Sequence, residues 1–240
     1  MYSSCDFHII SNSKTLRLDE RNTICFFERV LFFSGIDGSG KSTHAKLLST
    51  YLKRRGVKVR LVWMRWFAFF SYPLLALCRI LRLTKRTKFS AIPLRLYWLY
   101  KSIAMLWTHL FLLDYLLYVL IVLALNRRKV VIADRFMLDV FVDVAYDTHL
   151  NPVKYIIGKF FLLLLYRLMK KGLLKGVVMI VDKDVVFARR RDVPSKTYVT
   201  FRIPVYVALA SWLGVPVING SDDIIKNFLR ITKILGVDDI

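Results

Sequence analysis

A glycine-rich run set between an apolar stretch and an amphipathic one leaves this chain few ways to fold. Residues Gly35 to Thr43 read GIDGSGKST and fit the pattern G-x-x-x-x-G-K-[ST]. Glycines at this spacing let successive backbone N–H groups close around an anion at a helix N-terminus, where the helix dipole also favours negative charge. Lys41 would reach the outer phosphates of a nucleotide, and the Ser42 hydroxyl would ligate Mg²⁺. The flanks agree with the motif. The apolar RVLFFSG before it reads as a strand buried on both faces. The following KSTHAKLLSTYLKRRG puts Ala45, Leu48 and Leu52 on one helical face and stops at Gly56.

Four more short apolar or β-branched runs follow at crossover spacing: Val57 to Met64, Lys129 to Asp134, Gly176 to Asp182 and Val215 to Asn219. The first alternates apolar and basic residues, as an edge strand would. A final helix is expected after Ser221 as its cap, ending at Gly236. Alternating strands and helices predict an α/β fold, a parallel five-stranded sheet with helices on both faces. Its ligands belong at the carboxyl ends of the strands, where Gly35, Arg65, Asp134 and Asp182 fall.

The 240 residues suffice for one core, so residues 29–240 are expected to form a single domain, with 1–28 an extension of no assigned role. That extension lacks the pattern of a secretory signal. Three cysteines without a C-x-x-C pair indicate neither a disulfide framework nor a zinc site and suit a reducing cytoplasm. The net charge of +21 is compatible with phosphate ligands, anionic membranes or nucleic acid. Its spread in small groups along the chain argues against a dedicated nucleic-acid arm.

Mean hydropathy is +0.45, and Ile103 to Leu125 is long enough to span a bilayer. Asp114 near its middle, basic residues at both ends, and a glycine loop and Asp134 that must share one side predict a buried helix instead. Residues 66–102 form a second hydrophobic and basic region, with Trp66, Phe67, Phe69, Phe70 and Tyr72 ahead of a helix carrying Arg79, Arg82, Lys85 and Arg86. Such a helix would cover the protein's own core or lie on an anionic membrane.

GIDGSGKST with its helix, VVIADRF, VDKDVVFARRR and VPVINGS, in that order over most of Arg29 to Leu235, resemble the thymidylate kinase family of P-loop nucleotide kinases. The resemblance implies a P-loop NTPase fold and ATP with Mg²⁺ as cofactors. It also implies transfer of the γ-phosphate to dTMP to give dTDP, in the cytoplasm, by a homodimer packed through hydrophobic helices. Gly35, Gly38, Ser39, Gly40, Lys41, Ser42 and Thr43 would then hold the nucleotide, with Lys41 catalytic and Ser42 and Asp134 at the metal. Asp37 would face the acceptor, and Arg135 and Arg65 would bind its phosphate, a task that suits a bidentate guanidinium. Because the loop position after the acid is Gly38, a lid over residues 183–200 would supply the charge-stabilising arginine, from Arg189, Arg190 or Arg191.

The acceptor half departs from the family. RWFA stands where Arg-Glu-Pro-Gly is usual, Asp114-Tyr115 where an Asp-Arg pair holds the base, and Asp139, Asp143 and Asp147 where serine and glutamine are expected. Asp139 would otherwise read as a helix-surface acid. Asp114, among apolar neighbours, needs a partner; it reads either as a helix acid satisfied by a buried arginine or a backbone group, or, with Arg65 or Arg135 as that partner, as a residue that orients the acceptor-binding arginines. These departures leave a second reading, a kinase of a non-nucleotide acceptor such as a sugar phosphate or lipid head group at the membrane surface. A nucleotide-binding switch or a nucleic-acid-binding protein is the third.

Overall fold

The computed structural model describes residues 18–19, 23–24, 30–65, 67–86, 96–190, 193 and 195–238. Trp66, Lys88, Arg191 and most of the 1–28 extension lie outside the described residues.

Five strands, β1 (Val30–Gly35), β2 (Val59–Trp63), β3 (Val130–Asp134), β4 (Leu174–Ile180) and β5 (Val217–Asn219), form one sheet in the order β2-β3-β1-β4-β5. All four pairings are parallel, so all five carboxyl ends meet along one edge. The alternating pattern at Val59–Trp63 does mark an edge strand. Two short antiparallel pairs, Leu18–Asp19 with Thr23–Ile24 and Thr84–Arg86 with Leu96–Trp98, stand apart from the sheet.

The helices are α1 (Lys41–Arg54), α2 (Ser71–Ile80), α3 (Lys101–Leu125), α4 (Met137–Thr148), α5 (Ile156–Lys170), α6 (Lys183–Arg189), α7 (Lys196–Leu213) and α8 (Ile224–Leu235). In β1 successive side chains serve opposite faces. Val30 and Phe32 join a core with α3, α4, α5 and α7, while Leu31 and Phe33 join one with α1 and α8. The central strand is therefore apolar throughout, as a doubly covered strand must be.

Three expectations need correction. The last helix begins later, with Asp223 rather than Ser221 as its cap, because the Asp223 carboxylate accepts from the N–H groups of Ile225 and Lys226. The helix in the basic region stops at Ile80, since Arg82 turns into the left-handed region at φ 56°; Arg82 and Lys85 thus lie beyond it. Finally, α3 is buried on one side only. Trp107, Phe111, Tyr115, Val119 and Val122 enter the core, while Leu106 and Leu120 are more than half exposed. By length and composition α3 could cross a membrane; here its buried side packs on α2, α4 and α5.

Candidate active site

The phosphate loop bridges the end of β1 and the start of α1. Gly40, at φ 90°, takes the left-handed conformation that lets the chain turn into α1 with its N–H groups facing outward. Ile36 N–H donates to Met179 O of β4 at 3.1 Å, which pins the loop to the sheet. Behind it lies Gly220, where a Cβ would stand 2.1 Å from Ser39 O. Only glycine lets the chain after β5 pass so close. Ser39 is fully buried, and its hydroxyl donates to Ile36 O at 2.8 Å.

Lys41 is 4% exposed, and its Nζ donates to Ile36 O and, at 3.4 Å, to Ser39 Oγ. No carboxylate among the described residues bonds to it. Burial and the Arg135 guanidinium outweigh the attraction of Asp37 and bring its pKa down to about 7. A phosphate at the loop would reverse that shift, since an opposite charge favours the ammonium form.

The loop faces a cleft of about 420 Å³ lined by Gly38, Lys41, Ser42, Thr43, Arg135, Arg189 and Arg190 among others. Arg189, on α6, donates from Nη1 to Gly38 O at 3.1 Å and to Gly220 O at 2.9 Å. The described part of the expected lid therefore rests on the loop, with Arg189 and Arg190 at the cleft. The carboxyl end of β3 supplies Asp134, in register with Phe33. Its Oδ1 is buried and has no hydrogen-bond partner among the described residues. A carboxylate oxygen in that state fits a cation, and Ser42 and Asp134 would be the protein's ligands to one, with phosphate oxygens and water completing the shell of a Mg²⁺ ion.

Beside the cleft, three carboxylates and three guanidiniums interlock. Arg135 donates from Nη2 to Asp37 Oδ1 and from Nη1 to Asp139 Oδ1 at 3.3 Å. Arg65 grips Asp143 with Nε at 2.8 Å and Nη2 at 3.2 Å. Arg202, which is completely buried on α7, donates to the same carboxylate, to Tyr198 Oη, and to Tyr206 Oη at 3.0 Å. The two phenols close the circuit, Tyr198 to Asp37 at 2.9 Å and Tyr206 to Asp139 at 2.8 Å. Burial alone would raise the acids, but the guanidiniums hold Asp37 and Asp143 well below the usual carboxylate range. Burial, opposed by Arg202, pushes Tyr198 up to about 12. Arg135 sits at φ 71°, a conformation costly for a residue with a side chain.

These positions bring some of the residues singled out in the sequence together and separate others. Asp37, Lys41, Asp134, Arg135, Arg65, Arg189 and Arg190 converge on one end of the sheet. Asp139 is no surface acid, being fully buried and also bonded to Phe136 N–H at 3.1 Å. Asp114 meets neither Arg65 nor Arg135. Its carboxylate accepts from the N–H groups of Phe69, Phe70 and Ser71 and from Ser71 Oγ, at 2.7–3.0 Å, and so closes the start of α2. Those four donors hold its pKa down although burial opposes them. Tyr198, Arg202 and Tyr206 went unread in the sequence. The available signal was an arginine inside an apolar helix with tyrosines four residues to either side, all on one face.

No family model and no curated protein sequence matches this chain. Among solved structures, deoxyadenosine kinase from M. mycoides with bound dCTP is similar at TM-score 0.45 and 15% identity, over 85% of this chain and 97% of that one. A likeness that loose concerns chain fold and says nothing of ligands. Strand order, parallel pairing and a phosphate loop between β1 and α1 make this an α/β chain of P-loop NTPase fold.

Proposed function

We propose that this chain is an ATP- and Mg²⁺-dependent phosphotransferase whose acceptor carries a phosphate, with dTMP the first candidate. One observation carries the reading: Arg135 lines the phosphate cleft and at the same time binds Asp37, so a donor site and an adjoining polar site share a wall. Phosphoryl transfer needs positioning and neutralisation of charge more than covalent chemistry from the protein. In it an acceptor phosphate oxygen bonds to the γ-phosphorus as the bond to the β–γ bridging oxygen breaks, and ADP leaves with that electron pair. The loop N–H groups and Lys41 hold the β- and γ-phosphates. Arg189 and Arg190 face the oxygens on which charge develops. Arg135 and Arg65 exchange their internal carboxylates for the acceptor phosphate. Ser42 and Asp134 would hold Mg²⁺, which would supply further neutralisation of phosphate charge.

The network itself favours a second reading. The groups bonded to Arg135 are the carboxylates of Asp37 and Asp139, and charged and phenolic side chains make up the network behind it. A sugar phosphate fits that chemistry. ATP consumption with Mg²⁺, with and without dTMP and with Lys41→Ala as the blank, separates the readings. Stimulation by dTMP, absent from the variant, supports the first. ATP binding without stimulation turns to sugar phosphates and phosphorylated head groups. Failure to bind ATP at all overturns both.

A further inference from the structure

Between Asp37 and Asp114 the sequence carries no acidic residue. Asp114 itself is fully buried and spent on four hydrogen bonds, so among the described residues every charge this stretch puts on the surface is basic. Helix α2 lies in its middle. Ser71, Leu75 and Cys78 bury one side of it. At 100° per residue the opposite side presents Pro73, Leu77 and Ile80, and the last two are 51% and 77% exposed. An exposed apolar face on a helix already packed on its other side is one that marks an interaction surface.

The surroundings say by what. The turn ahead of α2 adds Phe69 and Phe70, stacked edge to face at 4.8 Å and both more than half exposed. Asp114 fixes that turn through the backbone. Leu81 extends the apolar face beyond the helix, and the exposed Arg82 and Lys85 follow it directly in the chain. A second copy of this chain meeting it face to face would set basic residues against basic residues, with no carboxylate among the described residues of the patch to separate them. Anionic head groups supply the missing charge, and aromatic and aliphatic side chains beside lysine and arginine are the composition of interfacial helices.

We infer that the outer face of α2, with the Phe69–Phe70 turn, docks on the surface of an anionic lipid bilayer, its helix axis in the plane of the head groups. The surface is distinct from the phosphate cleft, and the inference holds whichever acceptor is used.

Co-flotation of the full chain with vesicles tests it. Binding is expected to equimolar phosphatidylcholine and phosphatidylglycerol and not to phosphatidylcholine alone, and to weaken as salt rises. Phe70→Ser with Ile80→Ser removes apolar contact at two exposed positions and should abolish flotation. Arg82→Glu with Lys85→Glu should weaken partitioning at least about 25-fold, from roughly fivefold per basic residue. Arg230→Glu with Lys233→Glu, exposed on α8 at the other face of the sheet, changes net charge equally and should leave binding intact. Equal loss in both charge-reversed proteins would mean that net charge alone does the binding, and would overturn the inference. So would flotation with neutral vesicles, no flotation at all, or a solution dimer that Ile80→Ser dissociates.

Discussion

Asp114→Ala removes the acceptor of four hydrogen bonds from a position that is completely buried. Three of the donors are the backbone N–H groups of the two residues ahead of α2, Phe69 and Phe70, and of its first residue, Ser71, which no carbonyl of the helix can satisfy. Those of Phe69 and Phe70 are half-buried, so water reaches them after the change, at a cost of about 1 kcal/mol each, as for an ordinary helix cap. Ser71 is completely buried, and its stranded N–H and hydroxyl add about 1–3 kcal/mol. The total is about 3–5 kcal/mol. In a chain of this size that lowers Tm by about 6–20 °C. Asp114→Asn keeps one acceptor oxygen but turns an NH₂ toward the donors, and should cost about half as much. Urea and thermal unfolding followed by circular dichroism give the stability, and nucleotide titration gives ATP affinity, which should not change. A loss below about 0.5 kcal/mol in Asp114→Ala would refute the capping role. Weakened acceptor binding with stability intact would restore Asp114 to the acceptor site.

Further tests concern titration and the buried network. With Lys41 at about pKa 7 in the free protein and fully charged against phosphate, ATP binding at pH 8 should take up about 0.9 proton, read by calorimetry in buffers of different ionisation enthalpy; Lys41→Met should take up none. Because the folded pKa lies below the ordinary 10.5, the unfolded chain binds more protons between pH 7 and 10.5, so Lys41 adds up to about 1.4 kcal/mol of stability per pH unit as pH rises through that window. Asp143→Ala strands the buried Arg202 and should cost about 3–5 kcal/mol, whereas Asp143→Leu with Arg202→Met should recover most of it, by urea unfolding. Asp37 and Asp143 have folded pKa values held low, so their stabilising effect is complete above the unfolded carboxylate value and fades as pH falls below about 4.

The strands, the phosphate loop and the edge position of Val59–Trp63 were legible in the sequence because each depends on local pattern: a buried run, a fixed glycine spacing, an alternation of period two. So was the convergence of Asp37, Lys41, Arg65, Asp134 and Arg135, since parallel strands bring their carboxyl ends to one edge whatever the details of packing. Partners were not legible. Asp114 lies one turn from Tyr118 and far along the chain from Phe69, Phe70 and Ser71, and nothing in periodicity says which of several buried donors a carboxylate meets. Asp139 reads as solvated until α7 is laid over α4 and Tyr206 reaches it. Arg202 depends on the same contact, because a charge inside an apolar helix is acceptable only where the tertiary fold brings it a carboxylate, here Asp143. Local chemistry thus determined where a phosphate can bind, and long-range packing decided which charges surround it, since Arg135 with Asp37, Arg65 with Asp143 and Arg202 with Asp143 all pair across distant parts of the chain.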